Sequence, residues 1–440
     1  MEWTPGPKSK ELLDEFRDYV VMEPRPYVID LERCEGMHIV TIDGQRIFDW
    51  AGYYGSKLIA HNHPRLQEPD YLKSLARAAN NKVANPDYVT PELVEYYRLL
   101  HRIGPTCMKN PELEVFTVNS GAEAVENALK YMVKLYHEKT CSDRKVPRYS
   151  NTPGFIHFEQ GFHGRTVYAL NVTDMPHNPI VTKDFHGLAP KNVMVPFPEN
   201  HSDAEVGRCL RSVEEALQFN GFNIAGIIIE PMQSAGGQRT APKHFFQRLS
   251  QLAHDWNVGL CFDEVQTTGG PCGSIFMCDQ FDLPHSPDVV VTAKKFACGV
   301  VYMKRPMQDK GILDSTWSGT LADMVRFVQE WKIIEEEGLL DQVADKAQHL
   351  CYGLEHLVKR YPDLVSNVCG AGLYQGFTIH KPLTRKNFVD AALARHSLLL
   401  MGAGTDSVRL RPNLSVTHED IDSLLSLLSN LLDDHRTFTA

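Results

Sequence analysis

The chain has 440 residues, of which 43% are hydrophobic and 23% are charged, and its formal net charge is −10 at pH 7. This length exceeds what one hydrophobic core usually serves, and the composition excludes a largely disordered chain. Both signs of charge are scattered along the sequence without a basic stripe. Binding to nucleic acid or to a membrane surface is therefore not expected, and small-molecule chemistry is favoured.

Targeting signals and metal motifs are not evident in the sequence. Residues 1–20 mix acidic and basic side chains, unlike a secretory signal or an acid-poor transit peptide, and no apolar stretch approaches the length of a membrane span. Ten cysteines are spread singly from Cys34 to Cys369, a pattern typical of reduced thiols in a cytoplasmic protein. Cys272 and Cys278 have no histidine cluster beside them, so no metal site is predicted.

The first predicted elements are two short strands, 38–41 and 46–50, on either side of an Asp43-Gly44 turn. They belong to an N-terminal segment, residues 1–75, that we expect to pack with the C-terminal part of the chain. Residues 331–440 contain helical patterns at 340–360 and 419–434 with short strand-like pieces between them, and predict a smaller α+β domain.

Between these parts, residues 76–330 alternate short apolar runs with helical patterns, which is typical of a large α/β domain with a mostly parallel sheet flanked by helices. The runs are interpreted as strands covered on both faces, and they are 115–118, 224–229, 258–262 and 288–291. The helical patterns here are 122–138 and 245–254, and a further one, 324–336, begins the long helical stretches of the C-terminal part.

The first candidate for ligand binding follows the apolar run 115–118. Ligands of open α/β sheets bind beyond the carboxyl ends of the strands. Ser120, Gly121 and Ala122 lie at such an end and open a helix, where backbone N–H groups and a hydroxyl can hold a phosphate. The same three residues are also compatible with an ordinary helix cap.

Two further strand ends carry charged residues. Asp263 ends a buried run, so its carboxylate needs a cationic or hydrogen-bonding partner, and a structural salt bridge is one alternative. Lys294 leaves another apolar strand, where partial burial would lower its pKa and favour imine formation, although a solvated surface lysine is the alternative. A phosphate cradle, a buried carboxylate and an emerging lysine together match a pyridoxal 5′-phosphate (PLP) site.

At these residues the sequence resembles the class III aminotransferases of PLP fold type I, the group that contains 4-aminobutyrate, ornithine and lysine 6-aminotransferases. The resemblance covers nearly the whole chain, and three segments (294–300, 314–326 and 402–416) are most similar to the lysine 6-aminotransferase subgroup. The matching segments are AHNHP (60–64), NSGAEAVENALK (119–130), GFHGRT (161–166), IIEPMQSAGG (228–237), FDEVQTTGG (262–270), AKK (293–295), STWSG (315–319) and VRLRP (408–412).

The resemblance implies a role for each matching residue around PLP. Lys294 would be the imine-forming lysine and proton shuttle, and Asp263 would keep the pyridine nitrogen protonated. Gln266 would hydrogen-bond the ring 3′-oxygen, and Phe162 would stack on the ring, with simple core packing as its alternative. Thr316 would bind the phosphate of the neighbouring subunit, which implies a homodimer with shared active sites.

The resemblance also implies the substrate contacts. Arg165 would bind a distal carboxylate, and Arg409 would bind the α-carboxylate of glutamate. The family's usual glutamate, which masks the second arginine while an ω-amine is bound, is replaced here by Ala235. An unmasked Arg409 favours donors with an α-carboxylate over cationic ω-amines.

We therefore expect a transaminase that moves an amino group from a lysine-like ω-amino acid to 2-oxoglutarate, with three alternatives left open. The first is an aminotransferase that acts on an α-amino group, because of Ala235. The second is an isomerase, racemase or decarboxylase, since these PLP enzymes share the lysine, the aspartate and the phosphate cradle. The third is a catalytically silent binding protein, against which the presence of both Lys294 and Asp263 argues.

Overall fold

The computed structural model describes residues 3–140, 152–185, 187–189, 191–220, 223–309 and 311–439. The chain divides into two compact units, one made of Met1–Leu72 with Lys332–Ala440 and the other of Lys73–Trp331. The two points of division fall within helices α3 (Pro69–Asn80) and α8 (Leu321–Glu336). We call the continuous unit the sheet unit and the other the terminal unit.

The sheet unit is built on a seven-stranded sheet with the strand order β3-β11-β10-β9-β6-β4-β5. Its strands are β3 (Glu114–Val118), β4 (Gly154–Phe158), β5 (Val193–Val195), β6 (Ile224–Ile229), β9 (Gly259–Asp263), β10 (Val289–Thr292) and β11 (Gly299–Met303), and a separate hairpin pairs β7 (Met232–Gln233) with β8 (Arg239–Thr240). The helices lying wholly within it are α4 (Pro91–Ile103), α5 (Gly121–Thr140), α6 (Asp203–Asn220) and α7 (Lys243–Asp255).

Strand direction places the carboxyl ends of six strands at one edge of this sheet. The pairs β5–β4, β4–β6, β6–β9 and β9–β10 are parallel, whereas β11 is antiparallel to both of its neighbours, β10 and β3. Because two reversals restore the direction, β3 runs the same way as β10. The sheet is mostly parallel, as predicted, and the segments that follow β3, β4, β6, β9 and β10 start at the same edge.

Apolar side chains on α5 explain how the centre of the sheet is covered. The helix packs against β6, β9, β10 and β11. Val125, Leu129 and Met132 are buried at helical spacing, as the sequence pattern predicted, whereas Val133 is only half-buried. Burial of these side chains with the strands forms the core of the unit and fixes the start of α5 beside the end of β3.

The predicted strands are present, with one correction. The run at 224–229 is buried throughout, but the prediction that 115–118 is covered on both faces is wrong. Val115 and Phe116 are half-buried because β3 is the edge strand of the sheet. Strands β4, β5 and β11 were not predicted.

The terminal unit contains two small sheets, with strand orders β1-β2-β14 and β12-β13-β16-β15. Its strands are β1 (His38–Val40), β2 (Arg46–Asp49), β12 (Val365–Ala371), β13 (Tyr374–Ile379), β14 (Leu398–Leu399), β15 (Met401–Ala403) and β16 (Ser407–Arg409). Its helices are α1 (Pro7–Arg17), the short α2 (Gly52–Gly55), α9 (Val343–Arg360), α10 (Arg385–His396) and α11 (His418–Thr439). The predicted β1–β2 hairpin is antiparallel.

Two further features of the described residues concern disulfide bonds and membrane-spanning helices. None of the nine cysteines in the described ranges is in a disulfide, and Cys141 lies outside those ranges. No helix in the same ranges is both long enough and apolar enough to cross a membrane.

Candidate active site

A cavity of about 420 Å³ opens at the carboxyl edge of the large sheet. Each of the segments that follow β3, β4, β6, β9 and β10 contributes side chains to its wall. All of the lining residues belong to the sheet unit. The parallel topology therefore brings together chemical groups that are far apart in the sequence.

At the β3 end, the cavity is lined by the N-terminus of α5. The Ser120 hydroxyl accepts a hydrogen bond from the Glu123 N–H at 3.3 Å, so this residue does cap the helix. The N–H groups of Gly121 and Ala122, in the first turn, have no acceptor within the helix. Since both residues line the cavity, the cap at Ser120 is compatible with an anion cradle formed by these N–H groups.

Close packing holds this cradle in place. A Cβ atom on Gly121 would lie 2.9 Å from Val265 Cγ1, and a Cβ on Gly299 would lie 2.2 Å from the Ser120 carbonyl oxygen. A Cβ contact under 3.0 Å requires the neighbouring atoms or the backbone to move. The beginning of α5 is therefore fixed between the segment after β9 and the first residue of β11, and both positions need glycine for space.

Asp263, the last residue of β9, has a buried hydrogen-bonding partner in His163. Its Oδ2 lies 2.7 Å from Nδ1 of His163, and its Oδ1 accepts the Val265 N–H at 3.0 Å. Burial lowers the pKa of His163, but the hydrogen bond to Asp263 and its negative charge outweigh this effect and raise the pKa above its ordinary value. The Nε2 atom of the same ring is buried and has no hydrogen-bond partner in the described residues.

Lys294 lies on the cavity wall in a strained backbone conformation. It is half-buried, follows β10 as the first residue of a 3₁₀ turn, and has a φ angle of 53°. A left-handed conformation costs a non-glycine residue about 1–2 kcal/mol, and such strain is concentrated at functional sites. Lys295, in contrast, is buried and donates to the Gln266 carbonyl at 2.8 Å.

Glu230, at the end of β6, adds a second buried carboxyl. Its Oε1 accepts the N–H of Phe162 at 2.8 Å, which orients the loop after β4. Burial raises the pKa of Glu230 to about 7, with a further upward contribution from Asp263 and opposing ones from His163 and Lys294. Phe162 is half-buried and faces the cavity rather than the core.

A family model described as aminotransferase class-III matches residues 19–432. The chain belongs to this family. It is 31% identical to the L-lysine-epsilon aminotransferase of Amycolatopsis lactamdurans over 96% of each chain, and 28% identical to the mitochondrial 4-aminobutyrate aminotransferase of Mus musculus over 98% of this chain and 90% of the relative.

A solved structure is similar over the full fold. The lysine aminotransferase from M. tuberculosis in the internal aldimine form superposes with a TM-score of 0.87 and is 28% identical, with 97% of this chain and 99% of that chain covered. This likeness establishes fold type I for the class III aminotransferase described here. Like other members of the family, it is a PLP-dependent transaminase that acts on amino acids and keto acids.

The groups around the cavity fit this cofactor. PLP presents a phosphate, a ring nitrogen that is protonated in its electron-withdrawing form, and an aldehyde. The helix N-terminus at Gly121, the buried carboxylate of Asp263 and the amine of Lys294 are complementary to these three groups and line one cavity. Gln266 and Phe162 line the same cavity.

The family's masking glutamate is absent from the cavity wall. Ala235 and Ser234 occupy this part of the wall, together with Arg165, whose side chain is exposed. Ser234 is only 1% exposed, and its hydroxyl has no hydrogen-bond partner in the described residues. The wall therefore offers a buried hydroxyl and a methyl group at the position where the family resemblance led us to expect a carboxylate.

Two residues predicted for the site do not line this cavity. Thr316 is exposed on the sheet unit, outside the cavity wall. Arg409 is buried on β16 of the terminal unit. The neighbouring Arg411 is fully buried, with its guanidinium 4.4 Å from the ring centroid of Tyr374 and one N–H donated to the Leu410 carbonyl. These contacts assign Arg411 a structural role.

Sequence reasoning missed His163, which it left without a role. A buried carboxylate at residue 263 predicted a cationic or hydrogen-bonding partner, but the partner lies 100 positions away in the chain. The available signal was the position of His163 directly after Phe162 at the end of another strand of the same sheet.

Proposed function

We propose that this class III aminotransferase is an ω-aminotransferase that takes the amino group of lysine or a related ω-amino acid and passes it to 2-oxoglutarate. The observation that carries the proposal is that Arg165 lines the same cavity as Lys294. A guanidinium at this position can bind a donor's carboxylate bidentately while the distant amine reaches the reacting lysine. Similarity to a lysine-epsilon aminotransferase supports the same donor class.

The residues of the chain divide the work as follows. PLP, when bound, supplies an aldehyde and a ring that withdraws electrons from the carbon bearing the amino group. Gly121, Ala122 and the Ser120 hydroxyl hold the phosphate, and Asp263 holds a proton on the ring nitrogen. Lys294 would hold the aldehyde through its Nζ, and the same amine would accept and return the proton of the donor carbon.

Other residues orient the ring and the substrates in this proposal. Phe162 packs on the ring face, and Gln266 donates to the ring 3′-oxygen. Arg409 binds the α-carboxylate of glutamate or 2-oxoglutarate. Thr316, which is exposed, contributes to the phosphate site of a second subunit in a homodimer. We also propose a cytoplasmic location, in line with the singly spread cysteines, of which the nine in the described ranges are in no disulfide.

The replacement of the masking glutamate by Ala235 is the feature that most challenges the ω-amine assignment. The resemblance implies that a carboxylate at this position masks Arg409 while an ω-amine is bound, and the methyl group of Ala235 cannot supply that negative charge. We propose that the unpartnered hydroxyl of Ser234 takes part in binding at this wall. Because Ala235→Glu supplies a carboxylate at this position, the variant should raise kcat/KM for lysine and leave kcat/KM for glutamate unchanged or lower.

Half-reaction spectroscopy tests the donor directly. The PLP form of the enzyme is mixed separately with lysine, ornithine, 4-aminobutyrate and glutamate, and loss of the visible absorbance band is followed. The proposal predicts that lysine or another ω-amino acid bleaches the band and that 2-oxoglutarate restores it better than pyruvate does. If glutamate alone bleaches the band, the enzyme acts on α-amino groups and the ω-amine assignment is wrong.

An arginine variant tests the carboxylate contact. Arg165→Ala should raise KM for lysine by about tenfold or more, since a hydrogen-bonded charged contact is worth about 1.5–3 kcal/mol. KM for 1,5-diaminopentane, which has no carboxylate, should not change. Arg211→Ala, on the exposed surface of α6, is the matched control. Equal effects on both donors would assign Arg165 to a role other than carboxylate binding.

A further inference from the structure

Two cysteines from distant parts of the sheet unit meet away from the cofactor cavity. Cys107 lies in the 3₁₀ turn Thr106–Met108, and Cys278 lies in the 3₁₀ turn Met277–Phe281, 171 positions later. Their Sγ atoms are 3.6 Å apart. A carboxylate oxygen of Asp279 completes a group in which all ligand atoms lie within 4.8 Å of one another.

We propose that Cys107, Cys278 and Asp279 form a binding site for one Zn²⁺ ion. Thiolate sulfur and carboxylate oxygen are both ligands that zinc accepts in tetrahedral sites. Three protein ligands leave the fourth position to water. In the sequence, Cys278 has only Cys272 near it, so no metal site was predicted; the partner that the fold supplies is Cys107.

The distance between the sulfurs fits this ion. Zn–S bonds of about 2.3 Å at a tetrahedral angle place two thiolates about 3.8 Å apart. The two sulfurs are within about 0.2 Å of this separation, the tolerance used to judge a metal site. With a Zn–O bond of about 2.1 Å, oxygen and sulfur would lie about 3.6 Å apart. Because the ligand atoms now lie within 4.8 Å of one another, the oxygen-to-sulfur distance would shorten by about 1.2 Å at most.

The backbone around the ligands is held before any ion binds. The two oxygens of Asp279 accept the N–H groups of Cys107 at 2.9 Å and Thr106 at 3.0 Å. The N–H of Cys278 donates to Oε1 of Glu264 at 2.7 Å. Each carboxylate oxygen keeps a further lone pair for the metal, and hydrogen bonds of this kind orient ligands in metal sites.

Binding is a simple exchange of protons for metal. Two S–H bonds break, two Zn–S bonds form, and two protons pass to the solvent, so no oxidant or reductant is needed. With the carboxylate of Asp279, the occupied site carries one net negative charge. Cys278 is buried and Cys107 is half-buried, so the ion would be partly shielded from water.

The site is separate from the cofactor cavity but connected to it through Glu264. The N–H groups of Met277 and Cys278 both donate to the Glu264 carboxylate, and Glu264 follows Asp263 in the chain. None of the three ligands lines the cavity. The ion would therefore stabilise the segment behind Asp263 without taking part in amino transfer.

Metal titration of the holoenzyme tests the proposal. The protein is purified with a phosphine reductant, freed of metal by a chelator and titrated with Cd²⁺, whose thiolate complex absorbs in the ultraviolet, and with Zn²⁺ against a coloured chelator. We expect one equivalent of either ion, a higher melting temperature when the ion is bound, and unchanged transaminase activity.

Cysteine variants provide the controls. Cys107→Ser should lose the bound equivalent and Asp279→Asn should weaken its binding, whereas Cys351→Ser, a half-buried cysteine on α9, should bind like the wild type. Because Cys107 is half-buried, its replacement should leave the protein folded and active. The proposal is overturned if reduced wild type binds no stoichiometric Cd²⁺ or Zn²⁺, or if Cys107→Ser binds the ion as tightly as the wild type.

Discussion

The buried carboxyl of Glu230 gives a pH-dependent prediction for the apoenzyme. Its pKa is raised from 4.5 to about 7 in the folded protein, chiefly by burial. Between these two pH values the folded state keeps a proton that the unfolded chain releases. The free energy of unfolding therefore falls as the pH rises from 4.5 to about 7. One pKa unit corresponds to about 1.4 kcal/mol, so above pH 7 the ionised Glu230 carboxylate lowers the free energy of unfolding by about 3 kcal/mol.

Glu230→Gln should remove this cost, because the amide is neutral and its oxygen can still accept the Phe162 N–H. The variant should gain roughly 2–3 kcal/mol in unfolding free energy over the wild type between pH 5 and pH 8. Urea unfolding of both apoproteins at several pH values measures this difference, in which groups common to the two proteins cancel. A difference that does not change with pH would refute the reasoning.

Glu264→Gln is the matched control for this experiment. Both oxygens of Glu264 already accept hydrogen bonds, Oε1 from the Cys278 N–H and Oε2 from the Thr267 hydroxyl and the Met277 N–H. An amide NH₂ at this position would face a donor whichever way it is turned, leaving a buried polar group unsatisfied. This variant should be less stable than the wild type at every pH, in contrast to Glu230→Gln.

Two other substitutions test how the site is held together. Gly299→Ala places a Cβ 2.2 Å from the Ser120 carbonyl oxygen, so it should weaken PLP binding in an absorbance titration. Gly207→Ala on α6 is the control, because only the flexible Arg211 side chain is near that position. Equal affinities of the two variants for PLP would contradict the packing argument. His163→Gln removes the imidazole that is paired with the buried Asp263 and should cost about 3 kcal/mol of stability in chemical unfolding. An unchanged unfolding curve would show that the pair contributes little.

Much of the architecture could be predicted because parallel strands leave a strong pattern. The run at 224–229 is apolar throughout since both faces of β6 are covered, and the same holds for β9 and β10. The direction of a strand, in contrast, cannot be read from its pattern of apolar residues. Strand β11 is as buried as its parallel neighbours, so its antiparallel pairing with β10 follows only from the fold.

The strands that were missed carry weaker patterns. Strand β4 has a glycine and a histidine among its five residues, and β5 is only three residues long, with one of them exposed. Both depend on their neighbours in the sheet more than on their own composition. Burial of His157 within β4 is a property of the assembled sheet and not of the local sequence.

The residues of the candidate site also fall into a group that could be predicted from the sequence and a group that could not. Residues at strand ends, such as Lys294, could be singled out because the topology of a parallel sheet gathers these ends at one edge. Pairs that depend on side chains meeting across the fold could not be predicted, as the contact between His163 and Asp263 and that between Cys107 and Cys278 demonstrate. The chain contains 19 histidines and 10 cysteines, so composition alone leaves too many possible partners.

The central claim is that Lys294, and not the adjacent Lys295, is the residue that bonds to the cofactor aldehyde. Borohydride reduction of the holoenzyme, followed by proteolysis and fragment mass spectrometry, locates that bond. We predict a single pyridoxyl group on the ε-nitrogen of Lys294, with Lys295 unmodified because its amine is buried against the Gln266 carbonyl. A pyridoxyl group on Lys295 or on any other lysine, or no adduct at all, would contradict the account.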